Sequence, residues 1–266
     1  MASNILLSFD VEEFDLPREH GEEIPLDDGI KVSAEGLEKV LKLCRKQNIK
    51  ATFFVTGNFA KKRADLVKEI VGDGHEVACH GVDHFKPSDN DICESKKIVE
   101  KRAGVKIEGY RQPRMFKINY NELKRCGYKY DSSVNPAWIP GRYDHRDVPR
   151  KPFLKKGILE IPTSVATSIR IPLFWLALHI MPTRIYIKLV RMSMKKTGYF
   201  ATYFHPWEFA NLMKFEVVPR YIKWNSGDKL VKRLDIVISK LKKEGQFVTY
   251  SEYSETCYNS DYEKGE

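Results

Sequence analysis

Two histidines four residues apart are the side chains whose spacing most directly indicates chemistry. His80 and His84 follow a short apolar run, and a tight loop or one helical turn brings such a pair to one side. Gly81 allows the backbone to turn sharply between them. Two imidazoles and one carboxylate are a common ligand set for catalytic zinc, which keeps one position open for water. The pair therefore predicts a metal site, with two unrelated surface histidines as the alternative.

An acidic stretch that follows the first apolar run offers the carboxylate. Asp10 and Glu12 are two residues apart, so in an extended segment they face the same side, whereas Glu13 points away. One carboxylate can then hold a metal while the other accepts a proton from water. A solvated acidic loop is the competing interpretation, because further acidic residues follow soon after.

Three more polar residues stand at or near the ends of later predicted strands. Arg111 can pair with a carboxylate and keep it ionised, although a surface arginine is the commoner case. His205, next to Pro206, is placed to act as a general acid, with a satisfied core histidine as the alternative. Asp131 lies within another strand. Because the carboxyl ends of parallel strands share one edge, we expect these side chains to converge.

Apolar runs alternate with amphipathic segments, and these elements must position the polar side chains. Alternating strands and helices indicate βαβ units and a parallel sheet, so the predicted fold class is α/β. About seven units favour a closed or nearly closed barrel over an open doubly wound sheet. The predicted strands cover residues 5–9, 51–55, 76–79, 109–111, 128–132, 158–161, 199–204 and 246–249. The predicted helices begin at Ser33 as N-cap and cover residues 58–71, 88–103, 119–126 and 228–243.

Composition and short motifs exclude several partners. No GxGxxG follows the first strand and no GxxxxGK[ST] occurs, so dinucleotide and P-loop functions have no support. The net charge is +9, but the lysines are scattered over helical faces. No basic, aromatic-interleaved module stands out, and we expect no nucleic-acid partner.

The five cysteines and the apolar segments bear on the compartment. The cysteine count is odd and no CxxC pair occurs, which predicts reduced thiols in a cytosolic protein. The first strand has no basic segment before it, so we expect no signal peptide. The most apolar stretch, residues 169–181, is too short and too interrupted to span a bilayer.

Five segments, in their order along the chain, resemble the motifs of the polysaccharide deacetylases of carbohydrate esterase family 4, the NodB homology group. They are Ser8-Phe9-Asp10-Val11-Glu12, His80-Gly81-Val82-Asp83-His84, Arg111-Gln112-Pro113, Tyr130-Asp131-Ser132-Ser133-Val134 and Tyr203-Phe204-His205-Pro206-Trp207-Glu208. The last segment has the form common among deacetylases of exopolysaccharide gene clusters. The resemblance spans roughly residues 5 to 250 and implies a distorted (β/α) barrel of about seven strands.

The resemblance implies a metal-dependent hydrolase that removes N-acetyl groups from an amino-sugar glycan or glycan precursor. Zn²⁺ or another divalent transition metal would be held by Glu12, His80 and His84. Asp10 would be the base, oriented by Arg111, and His205 the acid. The residues expected to contact substrate or support the site are Pro113, Asp131, Trp138 and Trp207.

The first motif departs from the usual family pattern of two adjacent aspartates. Val11 occupies the second place. A branch of the family uses an acid-x-acid spacing, which would make Asp10 the base and Glu12 the ligand. Glu13 is the alternative ligand.

We expect a single domain over residues 1–266 with a substrate-lid insertion near 141–194. A basic, aromatic cleft wall would be formed by Trp138, Arg142, Tyr143, Arg146 and Arg150. A lid would be formed by Phe174, Trp175, Leu176 and Leu178; completion of the core is the alternative. An N-acetylated glycan is the expected substrate. Exposure of residues 169–181 would instead favour a lipid-linked sugar, with peripheral membrane contact.

The expected location is the cytoplasm, at the inner face of the membrane if that contact is made. Two other functions use the same residues. One is an amidohydrolase acting on a small non-sugar amide or imide, and the other is a sugar-binding homologue without catalysis, for which Val11 is the support.

Overall fold

A computed structural model describes residues 3–139, 143–166 and 168–262. Gly141 and Arg142, at the predicted start of the insertion, lie outside the described residues. Strands β1 to β13 are, in order, Ser3–Val11, Thr52–Val55, Glu76–Cys79, Gly109–Tyr110, Tyr130–Asp131, Trp138–Ile139, Tyr143–Asp144, Phe153–Lys155, Ile158–Glu160, Val165–Ala166, Ile171–Pro172, Tyr199–Phe204 and Gly245–Phe247. Helices α1 to α11 are Leu16–Glu19, Leu26–Gln47, Gly57–Lys62, Ala64–Gly72, Asp91–Ala103, Tyr120–Arg125, Trp175–Ile180, Thr183–Thr197, Arg220–Lys223, Asp228–Leu241 and Tyr250–Tyr262.

One curled, mostly parallel sheet carries the architecture. Its strand order is β12-β1-β2-β3-β4-β5-β9-β8, with β13 also paired to β1, and only β8 runs antiparallel to its neighbour. In the described residues β12 and β8 are not bonded to each other. The segment after β9 partly bridges this gap, since the Ser164 N–H donates to the Ala201 carbonyl at 2.8 Å. The predicted distorted α/β barrel is confirmed in this incomplete form.

Alternation along β1 separates two layers of the core. Its outward side chains, from Ile5 to Val11, pack beneath the helices in the larger cluster. The inward side begins with Leu6 and continues into the polar residues Ser8 and Asp10. The apolar part of the enclosed layer consists mainly of Leu6, Phe54, Ala78, Tyr130, Tyr199, Ala201 and Tyr250. The barrel interior is therefore apolar towards the amino ends of the strands and polar at their carboxyl ends.

Helix α2 begins seven residues before the predicted N-cap at Ser33, which is buried inside the helix. The early turns pack against the short 3₁₀ turn Pro206–Phe209 that follows β12. A Cβ at Gly36 would clash with the backbone oxygen of Pro206, so glycine permits this close approach. The contact places His205 and Glu208 against a long, fixed helix.

Other element boundaries follow the sequence pattern to different degrees. Strands β3 and β12 have the predicted bounds. The single helix predicted over residues 58–71 is two helices, α3 and α4, separated at Arg63. Thr56 caps α3, because its hydroxyl accepts from the Phe59 N–H.

The thiol prediction was wrong for two cysteines. Cys93 in α5 and Cys126 after α6 form a disulfide, with Cα atoms 5.1 Å apart. Helices α5 and α6 pack side by side, which brings together two residues that are 33 apart in sequence. Cys44 and Cys79 are free and buried, and Cys257 is half-buried. The argument for a cytosolic protein from free thiols therefore loses its support.

The described part of the predicted insertion is ordered into hairpins and two helices, α7 and α8. Leu173, Ala177 and Leu178 are buried in the main core, so the apolar stretch mostly completes the core. Trp175 is half-buried and faces the functional site. No helix among the described residues is long and apolar enough to cross a membrane.

Candidate active site

Three buried ligand atoms converge where β1 and β3 end. Glu12 Oε2 lies 3.2 Å from His80 Nε2 and 3.1 Å from His84 Nε2. All three side chains are buried, and their atoms are close enough together to hold one metal ion. The two histidine rings stack with centroids 5.6 Å apart. The i, i+4 pair and the strand-end acid are thus brought into one cluster.

The outer nitrogens of both imidazoles are held by acceptors. His80 Nδ1 is 2.8 Å from the Arg111 carbonyl oxygen, and His84 Nδ1 is 2.8 Å from Asp15 Oδ2. Both Nδ1 atoms therefore carry hydrogen and donate, which leaves each Nε2 with a lone pair directed inward. Glu12 Oε2 is buried and has no hydrogen-bond partner among the described residues. Three facing acceptors need a cation between them, so these residues fit a divalent metal.

The local electrostatics favour positive charge at the same point. Burial would raise the pKa of Glu12, but His84, His205 and His80 together hold it well below its usual range. Burial would lower the pKa of His84, but Glu12 and Asp15 raise it to about 9. Without a metal ion, a proton on His84 Nε2 would therefore take the place between this nitrogen and Glu12 Oε2, and a metal ion would displace it. Both shifts arise from enclosed carboxylates beside imidazoles.

Glu13 is directed away from the two Nε2 atoms. It accepts hydrogen bonds from Thr56 Oγ1 at 2.8 Å, Asn58 Nδ2 at 3.2 Å and the His84 N–H at 2.9 Å. Burial raises its pKa. Glu13 therefore braces the loop that carries His84, while Glu12 faces the histidines.

Asp10 lies beside this cluster and is fixed by Arg111. Arg111 Nη1 donates to Asp10 Oδ1 at 2.5 Å, and Asp10 Oδ2 is 4.0 Å from His80 Nε2. All five guanidinium N–H groups have acceptors, which are Ser8 Oγ, Asp10 Oδ1, Ser132 O, Ser132 Oγ and Tyr250 OH. Although burial would lower the pKa of Arg111, Asp10 and the other partners raise it, so it stays a cation.

His205 also lies close to Glu12. Its Nε2 is 3.9 Å from Glu12 Oε1, and its Nδ1 is 2.8 Å from Glu208 Oε1. The ring stacks on Trp207 at 4.9 Å, and the edge of Trp175 packs against it. Burial would lower the pKa of His205, but Glu12 and Glu208 raise it.

Trp207 has a different place from the predicted substrate contact. It is buried, and its indole Nε1 donates to Glu12 Oε1 at 3.0 Å. Since Glu12 Oε1 is occupied in this way, Glu12 Oε2 is the oxygen that faces the histidines. Trp207 thus orients the candidate metal ligand.

The other three predicted substrate contacts lie outside the cluster of facing side chains. Asp131 is fully buried and accepts from the N–H and hydroxyl of Ser133, and Glu208 takes the place beside His205. Pro113 is buried against Gly81, where a Cβ would lie 2.8 Å from its Cγ. Trp138 is in the β6–β7 hairpin, with the Arg146 guanidinium 4.8 Å from its ring centroid.

Sequence reasoning missed the residues that hold the site in place. Asp15 fixes His84, and Glu208 fixes His205. The spacing of Glu208, three residues after His205 at a helical turn, was a usable signal. His179 contacts Glu208 from a segment far away in sequence, and no local pattern indicates that contact.

Two family models match consecutive parts of the chain. Residues 23–130 match the model described as polysaccharide deacetylase, and residues 132–254 match a domain of unknown function, DUF3473. Residues 23–130 belong to the polysaccharide deacetylase family. The two matches together place the chain in the exopolysaccharide-type branch of carbohydrate esterase family 4, which confirms the family resemblance, although the first motif, residues 8–12, lies outside both matched ranges.

Curated relatives and solved structures agree with this placement. A peptidoglycan deacetylase of Helicobacter pylori is 30% identical over 125 residues, or 43% of each chain. The matches cover well under two thirds of the curated relatives' own lengths. A polysaccharide deacetylase structure from Mycobacterium smegmatis aligns with a TM-score of 0.65 and 19% identity, covering 97% of this chain and 91% of that one. An allantoinase aligns with a TM-score of 0.63 and 14% identity, covering 95% and 89%. These structural similarities show the fold.

Proposed function

We propose that this protein is a metal-dependent hydrolase that removes N-acetyl groups from an amino-sugar glycan or glycan precursor. The observation that carries the proposal is the unpartnered Glu12 Oε2 facing two imidazole lone pairs. Asp10 lies 4.0 Å from His80 and His205 lies 3.9 Å from Glu12, so a candidate base and a candidate acid both border this point.

Metal binding is assigned to Glu12, His80 and His84. A divalent ion such as Zn²⁺ would supply a Lewis acid there and lower the pKa of a water molecule. The residues around the ligands keep their orientation, since Asp15, the Arg111 carbonyl and Trp207 each hold one of them.

The proton transfers are assigned to residues outside the ligand set. Asp10 accepts a proton from the attacking water, and the Arg111 guanidinium pairs with this carboxylate and orients it. The water oxygen adds to the acetyl carbon and the C–N bond breaks. His205 Nε2 gives a proton to the departing nitrogen, so the products are acetate and a free amine.

An N-acetylated glycan is the substrate class that the family supports. The Helicobacter pylori relative is named for peptidoglycan deacetylation, and the chain shares the polysaccharide deacetylase domain. A lipid-linked sugar was favoured only if residues 169–181 were exposed, and within that stretch only Ile169 and Ile180 are exposed. We therefore assign a glycan or its soluble fragments as the substrate. Small amides serve as comparison substrates in the assay.

Acetate release from defined substrates tests the proposal. Zn²⁺-loaded protein should release acetate from N-acetylglucosamine oligomers or peptidoglycan fragments. Asp10→Asn and His205→Ala should keep the metal yet lose turnover by about 100-fold or more, because proton transfer is lost. His80→Ala should lose the metal, as measured by elemental analysis.

Asp144→Asn is the matched control for Asp10→Asn, because Asp144 is exposed and pairs with Arg146 outside the site. It should leave turnover unchanged. If the protein hydrolysed only small amides, the proposed substrate class would be small amides instead of glycans. The proposed hydrolase activity would be refuted if the metal-loaded wild-type protein released acetate from none of these compounds.

A further inference from the structure

A buried chain of three side chains runs outward from His205, and the proposed reaction does not account for its far end. His205 Nδ1 is 2.8 Å from Glu208 Oε1, and Glu208 Oε2 is 2.8 Å from His179 Nε2. Glu208 and His179 are fully buried. A carboxylate thus lies between two imidazoles, one beside the candidate metal ligands and one in helix α7.

The hydrogen-bond pattern defines which atoms donate. His179 Nδ1 is buried and has no partner among the described residues, so a hydrogen there would be left unsatisfied. The ring hydrogen therefore belongs on His179 Nε2, which donates to Glu208 Oε2. Glu208 Oε1 accepts from both His205 Nδ1 and the His205 backbone N–H. Each carboxylate oxygen has its own donor, so Glu208 cannot rotate without losing one.

Helix α7 is anchored independently of this contact. Arg233 in α10 donates from Nε and Nη2 to the Leu178 carbonyl oxygen, at 3.0 and 2.8 Å. Asn225 donates to the His179 carbonyl oxygen. Trp175, one turn earlier, packs its ring edge on His205. His179 is therefore held in position by a rigid helix.

We propose that His179 is a positioning residue for the general acid. By holding Glu208, it fixes the His205 ring so that Nε2 points to the nitrogen that leaves. The inference rests on the proposed function, in which His205 Nε2 gives its proton to that nitrogen as the C–N bond breaks. It makes the DUF3473 part of the chain, which contains His179 and Glu208, a contributor to the geometry of proton delivery.

The dependence of rate on the leaving group separates positioning from a merely structural role. An amine departs from an N-acetyl group only with a proton, whereas nitrophenolate departs from p-nitrophenyl acetate without one. His179→Leu should lower kcat for the N-acetylated glycan by about 10- to 100-fold at nearly constant KM. It should lower kcat for the aryl ester by less than about threefold.

Conservative replacement provides the matched comparison. His179→Gln keeps a donor near the Nε2 position and should recover most of the amide rate. Glu208→Gln should repeat the selective loss on the amide. His20→Leu, which removes an exposed histidine, controls for imidazole loss and should leave both rates unchanged.

Proton NMR gives a readout independent of turnover. The wild-type protein should show exchange-protected ring N–H signals for His205 Nδ1 and His179 Nε2. In His179→Leu the His205 signal should broaden. Equal loss of amide and ester rates, or an unchanged His205 signal, would overturn the positioning role. Neither result would contradict the proposed hydrolase function. Absence of acetate release by the wild type would instead refute the proposed function and, with it, proton delivery through His205.

Discussion

At the scale of single residues, Trp207 has a role that its type alone does not indicate. An aromatic side chain near a sugar site is commonly a stacking platform, but this indole donates to Glu12 and stacks on His205. One buried side chain therefore touches both a candidate metal ligand and the candidate acid. Its contribution to the site is geometric.

Removing that donor should weaken metal binding. Trp207→Phe keeps most of the ring but leaves Glu12 Oε1 without its partner, so the carboxylate can turn. We expect a loss of metal affinity of about 10- to 100-fold, measured by competition with a chromogenic chelator. Trp224→Phe is the control. Because Trp224 is 73% exposed, this variant should bind metal as the wild type does. Equal affinities for wild type and Trp207→Phe would contradict the orienting role.

Apart from Asp131, the sequence predicted which side chains converge, but only part of what holds them. Period-two alternation correctly placed Asp10 and Glu12 on one side, and the strand ends brought His80 and His205 near them. The contacts of Trp207, Asp15 and His179 depend on distant segments meeting in the folded chain. Such contacts leave no local pattern to read.

At the scale of elements, the start of α2 shows why a helix boundary can be missed. Amphipathic spacing is clear from Leu37 onward, whereas the turns before Ser33 contain Gly29 and look like a loop; Gly36 lies within the predicted helix. These glycines are there because the helix backbone approaches other backbone closely. Tertiary packing thus overrides the low helix propensity of glycine.

The contact at Gly36 provides a test of how α2 supports the site. In Gly36→Ala the new methyl group would clash with Pro206, so the turn that carries His205 and Glu208 must move. We expect a loss of about 1–3 kcal/mol in unfolding free energy, together with a fall in turnover.

Gly72→Ala is the matched control, since a Cβ there meets nothing within 4 Å. Denaturant unfolding should show that it is neutral or slightly stabilised. If both alanine variants behaved alike, the close approach of α2 and the Pro206–Phe209 turn would be incorrect.

At the scale of the whole molecule, a half-buried acid far from the metal ligands makes stability depend on pH. Glu76, at the start of β3, accepts hydrogen bonds from Thr52, Tyr130 and the Ser251 N–H. Burial raises its pKa from 4.5 to about 7 against these donors. The protonated form is thus favoured in the fold relative to the unfolded chain.

The pKa of Glu76 is higher in the folded protein than in the unfolded chain. Its contribution to the free energy of unfolding is therefore fully present below pH 4.5 and is lost as pH rises through 7. Glu76→Gln resembles the protonated acid and does not titrate. Between pH 5 and 8.5 the wild type should therefore lose about 3 kcal/mol of unfolding free energy relative to Glu76→Gln. Urea unfolding across this range measures the difference, with the exposed Glu94→Gln as a control that should follow the wild type. Parallel curves for Glu76→Gln and wild type would contradict the raised pKa.

The dual contact of Arg111 has a consequence for thermal motion at the site. Its carbonyl oxygen holds His80 and its guanidinium holds Asp10, so a base and a ligand are linked through a single amino acid. Fluctuations of the short β4 strand then carry both groups in the same direction, and their separation changes less than the position of either. Correlated displacement of this kind preserves reactive distances even when the surrounding loops vibrate.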